Sequence, residues 1–105
     1  MSARKPARPV IVLTDEAQDD LLNISLYGML TWGEEQADRY HAGIADALES
    51  VRRFPRVGRE VSGFGTGVRA IGYGQHRILY RPEPATILVL RILHERMDAV
   101  LDHST

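Results

Sequence analysis

The residues best suited to chemistry lie in the last third of the chain. Six arginine, tyrosine and histidine side chains occur within or beside strand-like apolar segments there: Arg69, Arg77, Tyr80, Arg81, Arg91 and His94. Guanidinium groups bind phosphate or carboxylate, and histidine or tyrosine can transfer a proton. Such a set could cleave RNA, with arginines holding the scissile phosphate, or it could bind an acidic protein partner.

Two features of the sequence count against RNA cleavage. The chain has 13 basic and 14 acidic residues and a net charge of -1, whereas a small RNA-cleaving protein generally needs a strong positive field. In addition, no lysine follows Lys5, which removes a common general acid and phosphate ligand. The same residues could therefore serve in binding a partner instead of in catalysis.

Other catalytic chemistries have less support. The histidines His41, His76, His94 and His103 fall in different predicted elements and form no HxxxH or HExxH motif. Cysteine is absent, and no serine lies in a nucleophile elbow. The segment "GFGTG" at 63–67 lacks the ending of a phosphate-binding loop. We therefore expect no metal site and no cofactor.

Charge is distributed unevenly along the chain. Residues 15–50 contain nine carboxylates against Arg39, whereas residues 51–97 contain nine arginines against three glutamates. Two interpretations remain open: the halves neutralise each other within the fold, or the basic half forms a surface for an acidic partner. Because every base in the second half is arginine, whose planar fork pairs with carboxylates, recognition is slightly favoured.

A strand and two helices are predicted in the first half of the chain. "PVIVLT" at 9–14 is typical of a strand, and Thr14 can cap a helix that ends at about 31–32. Apolar spacing predicts a second helix after Gly33 that stops before Pro55. So short a break between the helices predicts an antiparallel hairpin.

A sheet is predicted in the second half. Strands at 68–73, 76–81 and 86–94 follow a glycine-rich irregular loop at 55–67. The last strand is apolar at nearly every position, so we expect it in the centre of the sheet, covered on both faces. The fold class is therefore α+β: an N-terminal strand, an antiparallel helical hairpin and a three-stranded antiparallel meander that completes one sheet.

Length and composition predict a single domain. The chain has 105 residues, of which 44% are hydrophobic, and no apolar run approaches the roughly 20 residues of a membrane span. The basic N-terminus is not followed by the apolar stretch of a signal peptide, so a cytoplasmic protein is expected. We predict flexible tails at 1–8 and 99–105 around a domain at 9–98.

Alternation along the strands predicts where the candidate side chains point. It places Arg77 and Arg81 on one face of their strand, as a basic stripe, and Tyr80 on the other. On the last strand it groups Arg91 with Val89 and Leu93, and it places His94 on the opposite face.

A charge in the setting of Arg91 needs an acidic partner, either Asp98 or a helix carboxylate. In the favoured interpretation Arg91 is an internal salt-bridge anchor and His94 is the end of a strand. The alternative is that both residues act in function.

Four segments resemble ParE, the toxin of ParD/ParE toxin–antitoxin pairs within the wider ParE/RelE superfamily. They are "YGMLTWGEEQADRY" (27–40), "FPRVGREV" (54–61), "HRILYR" (76–81) and "LRILHERMD" (90–98). The resemblance covers roughly residues 9–98 and implies the same fold. It also implies poisoning of DNA gyrase, without catalysis by the toxin itself, and neutralisation by a ParD-like antitoxin in a hetero-oligomer. Neither membrane association nor sequence-specific nucleic-acid binding is expected.

RelE-like relatives within the superfamily imply an alternative function. They cleave messenger RNA on the ribosome with basic and aromatic or histidine groups on the same sheet. The matching positions here hold Arg77, Tyr80, Arg81 and His94, but no lysine. A ribosome-dependent mRNA endoribonuclease therefore remains the second interpretation.

The basic half, in which every base is arginine, indicates how an antitoxin would bind. An acidic amphipathic segment would place a helix in an apolar groove beside the hairpin and an extended stretch along the sheet, near Arg69, Arg77 and Arg81. Apolar hairpin residues, with Trp32 as an anchor, belong either to the core, which is favoured, or to this binding surface. The candidate residues for antitoxin or target binding are Trp32, Arg69, Arg77, Tyr80, Arg81, Arg91, His94, Arg96, Met97 and Asp98.

Overall fold

The computed structural model describes residues 8–96, and its two helices lie on one face of a five-stranded sheet. The predicted tails at 1–8 and 99–105 lie outside this range, except for Arg8. Within it, no helix is both long and apolar enough to cross a membrane. In chain order the elements are β1 (Val10–Leu13), α1 (Asp15–Trp32), α2 (Glu34–Arg53), β2 (Arg59–Glu60), β3 (Arg69–Tyr73), β4 (His76–Pro82) and β5 (Thr86–His94).

Thr14 joins the start of α1 to the sheet. Its Oγ1 accepts a hydrogen bond from the Ala17 amide at 3.1 Å and donates one to the Leu90 carbonyl at 2.9 Å. The acidic residues Asp15 and Glu16 occupy the first turn, where the helix dipole favours negative charge. The predicted cap and the predicted end of this helix are both confirmed.

The two helices form the predicted hairpin. Gly28 of α1 lies against Ala37 of α2 so closely that a Cβ on Gly28 would approach the Ala37 Cβ to 3.2 Å. The second helix ends at Arg53, two residues before Pro55, and its last turn carries Arg52 and Arg53. Small residues at the crossing thus let the helices pack closely, and basic residues suit the negative end of the helix dipole.

The strand order across the sheet is β1-β5-β4-β3-β2. The first strand runs parallel to β5, and all other neighbours are antiparallel. The predicted meander and the central position of the last strand are therefore confirmed. One difference is β2, a two-residue strand within the segment predicted as irregular loop, which pairs with β3 through Arg59 and Glu60.

The sheet buries one apolar cluster on each face. The larger cluster lies between the helices and the sheet, and the smaller one lies on the other face, which we call the open face. Part of the loop that follows β2 packs on the smaller cluster through Val61 and Phe64. The strand residues of the helix-side cluster are Ile78, Tyr80, Ile87, Val89 and Ile92, and those of the open-face cluster are Ala70, Leu79 and Leu93.

A β-bulge interrupts the alternation in β5. Leu79 pairs with Arg91 but the next residue, Tyr80, pairs with Val89, so that Leu90 is the additional residue. Val89 therefore belongs to the helix-side cluster although Leu93 belongs to the other. The predicted grouping of Val89 with Leu93 is wrong, because strict alternation does not continue through a bulge.

Candidate protein-binding site

A groove of about 430 Å³ lies between α1 and the end of the sheet. Ile24, Tyr27 and Trp32 of the first helix form one wall. The opposite wall combines apolar and polar groups from the ends of β4 and β5, namely His76, Ile92 and His94, with Arg96 beyond them. The first helix also contributes Asp20 and Asn23, so the groove combines apolar and polar groups and suits an amphipathic segment of another protein.

Hydrogen bonds and ring contacts order the floor of the groove. The Tyr40 hydroxyl lies 2.7 Å from Nδ1 of His76 and accepts a hydrogen bond from the Gln75 amide at 3.1 Å. The rings of His76 and His94 meet edge to face with their centroids 5.3 Å apart. Gly74 lies in the turn beside Tyr40 and has a φ of 55°. Glycine is required there, because a Cβ at this position would collide with the tyrosine hydroxyl.

Burial changes the titration of two of these groups. It lowers the pKa of His76, and the nearby His94 lowers it further, although Asp20 and Glu95 act in the opposite direction. It also raises the pKa of Tyr40 above its usual value. His76 therefore stays neutral at pH 7 and contributes a polar but uncharged ring to the groove.

Arg91 is held by a carboxylate of the first helix. Its guanidinium donates to both oxygens of Asp20, at 2.7 and 3.0 Å, and the same carboxylate accepts the Ile92 amide at 2.9 Å. The hydrogen bonds to Asp20 raise the pKa of the Arg91 guanidinium above its usual value. Of the two partners predicted for Arg91, the helix carboxylate is the one observed, and it is Asp20. Asp20 contacts β5 just beyond the residues that pair with β1. The alternative partner Asp98 lies outside the described residues.

His94 and Arg96, two of the predicted site residues, lie where the sheet ends. His94 faces the groove, and its Nδ1 accepts a hydrogen bond from the Arg96 amide at 3.1 Å. The Arg96 side chain is exposed at the edge of the groove. Met97 and Asp98 lie outside the described residues.

Arg77 and Arg81 lie on the open face, away from the groove. Arg77 and Arg59 border the same two shallow depressions near β2, and Arg81 packs beside Gly67. Arg81 also pairs with Glu83, whose carboxylate lies 3.0 Å from its guanidinium. The alternation predicted along β4 therefore holds, and it separates these arginines from His94.

Two candidates are occupied in holding the loop before β2. Tyr80 is fully buried, and its hydroxyl donates to the Pro55 carbonyl at 2.8 Å and accepts the Gly58 amide at 2.9 Å. Arg69 donates to the Gly58 carbonyl at 2.6 Å and lies 3.4 Å from Glu60. Both positions suit a structural role rather than the partner contact predicted from the sequence.

Trp32 lies at the surface. It is 46% exposed and contacts Tyr27 and Tyr40 through its ring, with centroids 5.8 and 6.2 Å apart. The favoured placement of Trp32 in the core is therefore wrong, because Trp32 is absent from the buried cluster between the helices and the sheet and nearly half of it is exposed. The alternative placement, on a surface, is the one observed.

Sequence reasoning missed His76 and Arg59 as members of these surfaces. His76 pairs directly with His94 across β4 and β5, a register that the sequence alone does not define. Arg59 reaches the open face because β2 pairs with β3, whereas the prediction assigned it to irregular loop. Among the described residues, no group of three histidines or carboxylates could hold a metal ion.

Solved structures share this architecture of a helical hairpin on a mixed sheet. A chain from the chromosomal ParDE system of P. aeruginosa has this fold with a TM-score of 0.69 and 20% identity, over 83% of this chain and 96% of that one. A chain from the toxin–antitoxin complex RelBE2 of Mycobacterium tuberculosis has a TM-score of 0.62 and 24% identity, over 84% and 99% of the two chains.

Sequence comparison identifies the family. The model of the ParE toxin of the type II toxin–antitoxin system parDE matches residues 11–99. The toxin ParE1 of Mycobacterium tuberculosis is 37% identical over 68 residues, which are 64% of this chain and 69% of the relative. The chain therefore belongs to the ParE family of type II toxins.

Proposed function

We propose that this toxin acts in the cytoplasm by inhibiting DNA gyrase through protein–protein contact and that a ParD-like antitoxin neutralises it. The observation that carries the proposal is the separation of the candidate catalytic groups. His94 faces the groove, Arg77 and Arg81 lie on the open face, and Tyr80 is buried. Proton transfer needs donor and acceptor within roughly 3 Å, and these positions do not converge on one substrate.

The groove is the proposed site of the antitoxin helix. Its aromatic and aliphatic wall from Ile24, Tyr27 and Trp32 suits the apolar side of a helix, while Arg96 at its edge suits acidic side chains. Aromatic residues that are partly exposed before binding often contribute most of the binding free energy. Trp32 is thus the proposed anchor.

An extended antitoxin stretch is proposed to continue on the open face. Arg59 and Arg77 border the same depressions, and Arg81 lies further along β4. Carboxylates of the antitoxin would pair with this row, which would guide the encounter and define the register more than it would raise affinity. The proposal thus assigns apolar binding and charge steering to different faces.

Purified toxin in two parallel assays tests the proposal. One assay measures gyrase supercoiling and DNA cleavage, and the other measures mRNA cleavage on programmed ribosomes. We expect cleaved gyrase–DNA complexes and intact mRNA, and we expect His94→Gln to leave the gyrase effect within about twofold, since no proton transfer by His94 is involved. Cut mRNA with unaffected gyrase would overturn the proposal.

A RelE-like mRNA endoribonuclease is the second candidate. It is favoured by the similarity of fold to the RelBE2 chain and by Arg59 and Arg77, which border the same depressions on the open face and could hold a phosphate there. Under this alternative the Arg77→Ala variant would lose mRNA cleavage while remaining folded. The same variant would retain gyrase inhibition under the first proposal.

A further inference from the structure

The outer side of α1 carries an exposed apolar stripe. Its members are between 48% and 89% exposed, and they are Leu22, Leu26, Met29 and Leu30, which we call the outer stripe. At 100° per residue these four positions fall within an arc of about 100° on the helix surface. They form one continuous surface rather than scattered exposed residues.

The stripe is not the side that packs on the sheet. The inner side of α1 buries Ala17 and Gly28 and packs Leu21 and Ile24 against the helix-side cluster. A helix at a protein surface normally presents polar residues opposite its buried side. An apolar outer side in addition to an apolar inner side indicates a second contact surface.

Carboxylates continue the stripe toward the start of the helix. Asp15 and Asp19 precede Leu22 by seven and three positions, which places them on the same side of α1. Neither aspartate forms an ion pair with any residue in the described range. The helix itself contains no lysine or arginine, so the charge of this side is entirely negative.

This charge distinguishes between possible occupants. In a second copy packed α1 against α1, a parallel pair would oppose the aspartates, and an antiparallel pair would place them beside the uncharged end at Leu30; in both cases no basic residue of either helix would pair with them. Like charges opposed across an interface are unfavourable. A helix with leucine-type residues at i, i+3, i+4 and i+7 and with basic residues at its flanks would match both the apolar and the acidic part.

We propose that the outer stripe is a docking surface for a basic amphipathic helix of another protein. This surface is separate from the groove, because Ile24 faces the sheet side whereas Leu26 and Leu30 face away from it. It also requires the opposite charge, since the antitoxin segment proposed for the groove is acidic. A toxin of this design binds two helices of different chemistry on the two sides of α1.

Peptide titration of the full-length toxin tests this proposal. The probe is a labelled leucine–lysine helix, and its matched control is a leucine–glutamate helix with identical leucine positions, both measured by fluorescence anisotropy. We expect the lysine peptide to bind at least about tenfold more tightly than the glutamate peptide. Equal affinities, or no binding of the lysine peptide, would overturn the proposal.

Charge-matched variants separate docking from general attraction to an acidic protein. Leu26→Glu with Leu30→Glu adds two negative charges to the stripe, and Phe54→Glu with Val57→Glu adds the same charges at exposed positions after α2. Docking predicts that the first pair weakens lysine-peptide binding by about tenfold and that the second does not. General attraction predicts that both pairs strengthen it, which would contradict the proposal.

Two further measurements keep the result interpretable. Leu30→Glu alone changes the most exposed residue of the stripe, which cannot disturb the core, and it is expected to weaken peptide binding by about threefold or more. Sedimentation of the wild-type chain tests for self-association. A dimer that Leu26→Glu with Leu30→Glu dissociates would identify a second copy as the occupant and would refute the proposal.

Discussion

The polar residues of the two faces of the sheet lie in different surroundings. On the helix side, His76 and His94 border a groove whose other wall is apolar and aromatic. On the open face, Arg81 pairs with Glu83, and Arg77 shares its depressions with Arg59. Adjacent residues such as His76 and Arg77 thus belong to different surfaces, because each successive side chain of a strand points to the opposite face.

This difference shows that polar residues close together in the sequence do not necessarily form one site. A polar segment such as "HRILYR" reads as one constellation, but the sheet divides it between a groove, an open face and a buried position. Binding surfaces can use such divided residues, since a partner can contact both faces. A single reaction centre cannot, because its groups must meet within hydrogen-bonding distance.

The largest effect is expected from Tyr80→Ala, which removes a fully buried ring from the helix-side cluster. Loss of the ring should lower the free energy of unfolding by about 3–5 kcal/mol, because large aromatic residues leave cavities on truncation. Tyr80→Phe should lower it by about 1–3 kcal/mol, because the Gly58 amide loses its partner. Urea unfolding measures both values. A loss below about 1 kcal/mol for Tyr80→Ala would show that this site tolerates the cavity.

A smaller loss of stability is expected when the contact between Asp20 of α1 and β5 is removed. Asp20→Ala removes three hydrogen bonds, to Arg91 and to the Ile92 amide, and should lower the free energy of unfolding by about 1–3 kcal/mol. Asp19→Ala, at the exposed neighbouring position, should change it by less than about 0.5 kcal/mol. If the two variants unfold at the same urea concentration, the Asp20 contacts contribute nothing to stability.

Much of the fold was predictable from local patterns. Thr14 as a cap, the break at Gly33 and the continuous apolar run of the last strand each have a local physical cause, and they correctly predicted both helices and the central strand. The bulge at Leu90 and the pairing of β2 depend on long-range strand register, which no local pattern encodes. The exposure of Trp32 depends on the packing of the last turn of α1 against other elements, which helical periodicity alone does not give.

The candidate site was less predictable than the fold. The sequence argument assigned Arg91 a carboxylate because a buried charge needs a partner, and the structure supplies Asp20, although the Arg91 side chain itself is 40% exposed. The burial of Tyr80, in contrast, could not be inferred, because its polar hydroxyl is satisfied by Pro55 and Gly58, more than 20 positions earlier in the chain. Residue type indicates what a side chain can do, whereas burial decides whether a partner can reach it.

The groove and the open face are expected to contribute differently to antitoxin affinity. Trp32→Ala with Tyr27→Ala should weaken affinity for the cognate antitoxin by about 30-fold or more, since aromatic anchors dominate binding free energy. Arg77→Ala with Arg81→Ala should weaken it by about tenfold or less, mainly through slower association at low salt. Surface plasmon resonance at two salt concentrations measures both effects. An unchanged affinity for the arginine variant would remove the open face from the proposed interface.

The smallest effect is expected from the titration of His76. Because burial holds its folded-state pKa below the unfolded value of about 6.5, the unfolded chain takes up the proton first as the pH falls. Stability should therefore decrease as the pH falls through about 6.5, and this dependence should weaken in His76→Asn. Urea unfolding across this pH range provides the measurement.

His41→Asn is the matched control for the substitution itself, since His41 is exposed on α2 and away from the groove floor. The charged and titratable groups that face His76 are Tyr40, His94, Asp20 and Glu95, and the two carboxylates partly offset the effect of burial. If His76→Asn retains the wild-type pH dependence, that compensation is complete and the groove presents a histidine that responds to pH as an exposed one does.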